Sequence, residues 1–328
     1  MIGKVDAIKY HIEMSLNTDF KLSFDPSDIS ASKLLSVLKE EWRREKSVSK
    51  LRDVMHVVVV EHDFDVNAVD DSDKTLLDKI CSGGERDVKL PIIRSLVESG
   101  ARPKLKTGQD LIIMCIKLYT SMRRDEKKKC GSVVDYVEML LRHGAKLNTL
   151  VRKNGDVKLH SPCLDYMLKK ADSMIKSLRR GFVHLAVMLL VHGACVEYVN
   201  VDQLVTSYPD SYDRHRLTMS RDDWQRIVKY LRCMGCKLDS PVLDHYDCCQ
   251  QAQHSTAFQM LPFVKPIEEV LVYMKSLGQR PDSLEFQCRR VIRRQVSISA
   301  GGKCIIYGID ELPLPAIKRD YLKFMDAE

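Results

Sequence analysis

Apolar helical segments that end in a glycine recur along most of the chain. The copies are Leu96–Ala101, Leu140–Ala145 and Leu189–Ala194, with weaker ones at Tyr230–Cys236 and Met274–Gly278. Their glycines are 44, 49, 42 and 43 residues apart. A glycine supplies the positive φ that ends a helix, and the next small residue lets the following turn pack closely. One-sided helices that repeat in this way stack, so the pattern predicts a mainly α solenoid with one continuous core.

Two further motifs resemble parts of an ankyrin repeat. Asp65-Val66-Asn67 matches the family's Asp-Val-Asn, and Thr75-Leu76-Leu77-Asp78 stands where the family has Thr-Pro-Leu-His. An ankyrin repeat is about 33 residues long, so each step here must carry an insertion. A solenoid of the HEAT type fits the longer period, whereas the Gly-Ala and Asp-Val-Asn motifs favour ankyrin. The resemblance implies degenerate ankyrin repeats over 51–280, after a partly unordered helical segment over 1–50.

The insertions are candidate contact surfaces for a partner. Residues 151–159 alternate around Asn154-Gly155, which predicts a β-hairpin. This hairpin carries Arg152, Lys153 and Lys158, which we assign as candidate substrate-binding residues. Residues 123–129 are predicted to form a mobile loop, and 198–224 form another long insertion.

A short helix with one narrow apolar stripe is predicted near the carboxyl end. Leu284, Cys288 and Ile292 are four residues apart and therefore share one face. Ser283 is a suitable N-cap. The arginines at 289, 290, 293 and 294 lie off the stripe. Such a helix needs something to pack against, which is either its own domain or another chain.

The residues after this helix complete a second motif. Gly301-Gly302 breaks the chain, Leu312-Pro313-Leu314-Pro315 is predicted to be extended, and a final helix carries Tyr321, Leu322 and Phe324. In this order, the elements resemble a SOCS box over 281–328. The resemblance implies that Leu284, Cys288 and Ile292 bind elongin, and that Leu312, Pro313, Leu314 and Pro315 bind a cullin. Lys318 departs from the pattern, because family members usually have leucine there.

Taken together, the two resemblances imply a substrate-recognition adaptor of an E3 ubiquitin ligase. The expected partners are elongin C with elongin B, a cullin-5-type scaffold with its RING protein, and an unknown protein substrate held by the repeats. The chain itself is expected to be non-catalytic and to need no cofactor. The alternative is an ankyrin scaffold without a ligase role, whose last helices only cap the solenoid.

The amino-acid composition indicates which partners and which cellular compartment to expect. The net charge is +7, but the basic residues are largely interspersed with acids, so nucleic acid is an unlikely partner. No apolar run reaches the roughly 18 residues that span a membrane. Eleven cysteines without a framework spacing indicate a reducing compartment, so we expect a cytoplasmic protein.

One cysteine cluster has the spacing of a metal site. Cys233 and Cys236 form a Cys-x-x-Cys pair, with His245 and Cys248 downstream, which is a possible zinc ligand set. Cys236 also occupies the small-residue position after Gly235, where a buried thiol serves as a small apolar side chain. The second interpretation is preferred, so no metal is predicted. No phosphate-binding glycine loop is present in the sequence.

Overall fold

The protein is described from a computed structural model. The structure describes residues 30–82, 86–103, 105, 110–153, 156–178, 180–197, 199, 204, 219–236, 273, 276 and 283–323. Predictions that concern Phe324, Gly278 or residues 1–29 lie outside these residues.

Within the described residues the chain is mainly helical. The helices are α1 (Ala31–Glu45), α2 (Val48–His56, extended by a π-turn over Val57–Glu61), α3 (Leu76–Ser82), α4 (Arg86–Glu98), α5 (Leu111–Ser121), α6 (Arg124–Cys130), α7 (Val133–Arg142), α8 (Pro162–Lys169), α9 (Ala171–Leu178), α10 (Arg180–Val191), α11 (Arg221–Cys233), α12 (Leu284–Ser299), α13 (Ile305–Asp310) and α14 (Ala316–Leu322). Strands β1 (Thr149–Lys153) and β2 (Asp156–His160) form an antiparallel hairpin.

Short polar side chains start many of these helices. The Ser30 hydroxyl accepts a hydrogen bond from the Lys33 N–H, and Ser220 and Ser283 cap α11 and α12 in the same way. Each cap satisfies a main-chain N–H that has no partner inside the helix. The cap predicted at Ser283 is therefore confirmed.

The helices stack in sequence order around one core. Helices α2, α4, α7, α10 and α11 contact one another in succession, while α1, α3, α5 and α8 pack against them. The largest side chains that are fully buried include Trp224, Tyr136 and Phe182. Successive helices therefore share one continuous core.

The glycines predicted to end helices do so with the expected backbone. Gly100, Gly144, Gly193 and Gly235 have φ of 97°, 87°, 103° and 88°. After each glycine, the next N–H returns to a carbonyl of the preceding helix, as in the 2.9 Å bond from Ala101 N to Leu96 O. This is the glycine-terminated helix end that the sequence predicts.

Two asparagines connect successive turns of the helical stack. Asn67 donates to Gly100 O (3.1 Å) and accepts from the Arg102 N–H (2.8 Å). Asn148 makes the same pair of bonds, to Gly193 O (2.8 Å) and from the Cys195 N–H (2.9 Å). One amide side chain thus fixes its own turn to the glycine-ended turn that follows.

The insertions differ from the predictions in one case. The hairpin around Asn154-Gly155 is confirmed, with Arg152 opposite Val157. The mobile loop predicted over 123–129 is wrong, because this segment forms most of α6. Lys127 holds it in place by donating to Thr120 O (3.4 Å) and the Ser177 hydroxyl (3.1 Å).

Candidate partner-binding site on the C-terminal helices

Helix α12 leaves its apolar stripe uncovered. The exposed fractions are 76% for Leu284, 67% for Val291 and 36% for Ile292, and Cys288 is exposed as well. These residues lie on one face, since they are three to four residues apart. A soluble surface seldom presents a row of large apolar side chains unless another molecule covers it.

The opposite face of α12 attaches the helix to the repeats through arginine. Arg293 is buried and donates to Leu190 O (3.0 Å), Val191 O (2.7 Å) and Leu322 O (2.5 Å). Two of these carbonyls end α10, where the helix dipole favours a cation. Burial, and then the charge of Arg289, lowers the pKa of Arg293 to about 9, so the guanidinium stays protonated at neutral pH.

Arg289 ties α12 to the last helix. Its guanidinium carbon lies 3.3 Å from the centre of the Tyr321 ring and 5.6 Å from that of Phe286. A guanidinium on an aromatic face gains both a cation–π and a packing contribution. Arg289 and Arg293 therefore fix the direction in which the apolar stripe points.

The turn after α12 joins the root of the β-hairpin. Gly302 O accepts from the Leu147 and Asn148 N–H groups, both at 2.9 Å. The Asn148 amide also donates to the Ser297 hydroxyl (3.0 Å). Gly302 has φ of 83°, and a Cβ there would lie 2.2 Å from Asn148 O. This contact therefore requires glycine.

The last two helices form a small second core. Ile305, Ile309 and Leu322 are buried together, and Leu312 packs against them. After Leu312, the segment between α13 and α14 turns away from this core, so Pro313, Leu314 and Pro315 are exposed. Leu314 is 37% exposed, and Ile317 in α14 is 76% exposed. These residues form a second apolar surface beside the first.

Lys318 lies between the two surfaces. Its ammonium is 4.0 Å from a Glu285 carboxylate oxygen, and both side chains are exposed. An exposed pair at this distance contributes little to stability. Lys318 therefore adds charge next to Ile317 without building the fold.

A cavity of about 230 Å³ separates α12 from the repeats. Gly193–Glu197, Met234 and Gly235 line one side of it, and Arg290, Val291 and Arg294 line the other. Arg294 pairs with Glu197 across this space (3.2 Å). The cavity belongs to the junction between α12 and the repeats.

The structure brings together part of the predicted site. Leu284, Cys288 and Ile292 share a surface, and Leu314 and Pro315 lie at the start of α14. Sequence reasoning missed Val291, and it considered Ile317 only as a possible substitute for the leucine usual at position 318. Val291 follows Leu284 by seven residues, two helical turns, so the periodicity contained the signal for it.

The other predicted residues lie elsewhere. Arg152 and Lys153 are in β1, but their side chains are outside what the structure describes, and Lys158 is half-buried in β2. Cys233 ends α11 and Cys236 is buried in the core, while His245 and Cys248 are outside the described residues. Among the residues that are described, no cluster of metal-ligating side chains is found.

Comparison with known proteins identifies this end of the chain. Residues 280–323 match the family model of the SOCS box. No curated protein and no solved structure matches the chain. A SOCS box binds elongin B/C and cullin complexes, so the match implies an adaptor role in an E3 ubiquitin ligase. Across the described ranges, no helix is both long and apolar enough to cross a bilayer.

Proposed function

We propose that the chain is the substrate receptor of an elongin B/C, cullin-5-type E3 ubiquitin ligase. The uncovered stripe on α12 carries this proposal, because Leu284, Val291 and Ile292 are exposed while the opposite face is fixed to the repeats. Elongin C covers the stripe, and Leu284 is its central anchor. The chain makes no bonds itself; it raises the concentration of target lysines near the charged conjugating enzyme.

We further propose that the repeats are degenerate ankyrin repeats that hold the target. The glycine-ended helices and the two equivalent asparagine bridges, at Asn67 and Asn148, support this assignment. Thr75 and Asp78 also bond reciprocally at the start of α3, where the family has its Thr-Pro-Leu-His motif. The hairpin residues Arg152, Lys153 and Lys158 remain candidates for contact with the target, in a cytoplasmic protein.

Mutation of the stripe tests the elongin contact. Leu284→Ala with Cys288→Ala should abolish co-purification with co-expressed elongin B/C, since truncating a central apolar anchor costs about 2 kcal/mol or more, roughly 30-fold in affinity. Arg294→Ala is the matched control, because it removes an exposed ion pair on the same helix and leaves the apolar stripe intact. Retention of elongins by the double variant would leave only the alternative, a scaffold without a ligase role.

A second pair of changes tests the cullin contact. Leu314→Ala with Pro315→Ala should keep elongin B/C and lose the cullin, because both residues are exposed and lie apart from the α12 stripe. Lys318→Leu should strengthen cullin binding, since leucine is usual in the family and Lys318 adds charge beside Ile317. Binding of purified cullin to the chain–elongin complex measures both effects.

A further inference from the structure

Two segments of the chain carry more than the whole net charge of the protein. Residues 117–129 and 169–180 contain 11 basic and 3 acidic residues, a net charge of +8. The rest of the chain has 41 basic and 42 acidic residues, a net charge of −1. Basic residues elsewhere are balanced by acids, whereas the excess positive charge is concentrated in about 25 residues of two separate segments, which the even distribution expected from composition did not anticipate.

The structure brings the described residues of these two segments together. Lys127 of α6 donates to the Ser177 hydroxyl of α9 (3.1 Å), and that hydroxyl donates to Thr120 O (3.1 Å). Helix α9 also packs against α5, α8 and α10. The two basic segments thus form one continuous surface, which we call the α6–α9 surface.

Most described basic side chains of the α6–α9 surface face solvent. Those that are exposed are Lys117, Arg123, Arg124, Lys169, Lys170, Lys176 and Arg180. Of these, Lys169 is paired with Asp165 at 2.8 Å, which offsets part of the charge. Several like charges held at one surface destabilise the fold through mutual repulsion, and an acidic partner would relieve that cost.

The side chains next to these charges distinguish between the possible classes of partner. The rings of Tyr119 and Tyr166 are covered by Lys127 and Lys117, with ammonium-to-centroid distances of 5.3 and 5.1 Å. They are therefore not open platforms for stacking bases, as proteins that bind single-stranded nucleic acid provide. The described part of the surface also has no exposed large apolar side chain to enter a membrane.

We propose that the α6–α9 surface binds an acidic segment of a protein target. Recognition of acidic or phosphorylated segments by clustered basic side chains is a recurrent mode of peptide binding. This inference rests on the proposed function, because it assigns a substrate class to the receptor. Charge complementarity would mainly speed association and select the target, and high salt would weaken binding.

The test uses the full chain in complex with elongin B/C and a fluorescent peptide of about 12 alternating Glu and Asp residues. Arg124→Glu, Lys170→Glu and Lys176→Glu together change the net charge from +7 to +1. Lys33→Glu, Arg43→Glu and Lys229→Glu change it equally at exposed positions elsewhere, and serve as the matched control. A neutralised variant, with Gln at 124, 170 and 176, gives a second measurement with milder changes.

The affinity for the acidic peptide should fall at least about tenfold in the surface variant and by under about threefold in the control. The neutralised variant should lose less affinity than the surface variant. The same peptide with Gln and Asn should not bind. Equal loss in the surface variant and the control would overturn the proposal, because only net charge would then matter. Tighter binding of a single-stranded oligonucleotide of equal charge, or of phosphatidylserine vesicles, at this surface would also overturn it. Elongin retention reports separately on the proposed function, since none of the changed residues lies in the SOCS box.

Discussion

Helices α7 and α12 bury opposite kinds of side chain. Helix α7 buries Val133, Tyr136 and Leu140 in the solenoid core and exposes Arg142, as a surface helix usually does. Helix α12 buries Arg289 and Arg293 and exposes Leu284 and its neighbours. Helix α12 is therefore held by polar bonds to main-chain groups, which leaves its apolar side available to another chain.

Removal of Arg293 is expected to have the largest effect on this comparison. Arg293→Met keeps the apolar stem but removes three hydrogen bonds to main-chain carbonyls, of which Leu190 O also accepts from the Gly193 N–H, so the change should cost about 3 kcal/mol. Urea unfolding of the chain–elongin complex measures the loss. Arg294→Ala, an exposed neighbour, should stay within about 0.5 kcal/mol of wild type. Unchanged stability in Arg293→Met would mean that arginine does not attach α12.

The two glycines after α12 provide a finer test of the same junction. Gly302→Ala places a Cβ against Asn148 O at positive φ and should cost about 2 kcal/mol or more. Gly301→Ala has open space at φ 63° and should cost only the backbone strain, about 1 kcal/mol. Denaturation midpoints measure both stability losses, provided that the slope of the unfolding free energy against denaturant concentration is unchanged. Equal costs would argue against close contact between the turn and the hairpin root.

Asn148 lies at the junction with α12, whereas Asn67 connects two turns elsewhere in the fold. Replacing each asparagine in turn compares these two kinds of contact. Asn148 is buried and bonds to Gly193, Cys195 and Ser297, so Asn148→Ala should cost about 2 kcal/mol. Asn67 makes two bonds to the next repeat, so Asn67→Ala should cost about 1 kcal/mol. Unfolding free energies measure the difference. A reversed order would show that Ser297 adds nothing to the bridge.

The smallest expected effect is a change in how stability depends on pH when His192, at the end of α10, is replaced. Burial lowers the pKa of His192 below its usual 6.5, so the folded chain holds the ring neutral. The unfolded chain takes up the proton first as pH falls, so this stability is present above the unfolded pKa and is lost on acidification below it. His192→Gln should lose less stability than wild type between about pH 7.5 and about pH 5. The exposed His62→Gln is the control; equal slopes in His192→Gln and wild type would contradict the prediction.

The residues of the C-terminal site were predictable from the sequence, but the contacts that hold them in position were less so. The stripe of Leu284, Cys288 and Ile292 followed from helical spacing, and the exposed Leu314 and Pro315 followed from a stiff proline segment. The role of Arg293 was not predictable, because arginine is rarely fully buried and its acceptors are distant main-chain carbonyls. The α6 segment was misjudged for a related reason: its charges suggested a loop, but Lys127 and Cys130 pack against the repeats.

By itself, the sequence determined the local features of this protein. Serine caps, glycine ends at Gly100 or Gly193, the hairpin turn and the spacing of the SOCS box motif depend on backbone geometry within a few residues. Long-range packing, by contrast, sets which face of α12 the chain itself covers, brings Asn148 to Ser297, and joins two basic segments into one surface. These outcomes depend on contacts between residues far apart in sequence, and periodicity alone does not say which face of a helix finds a partner.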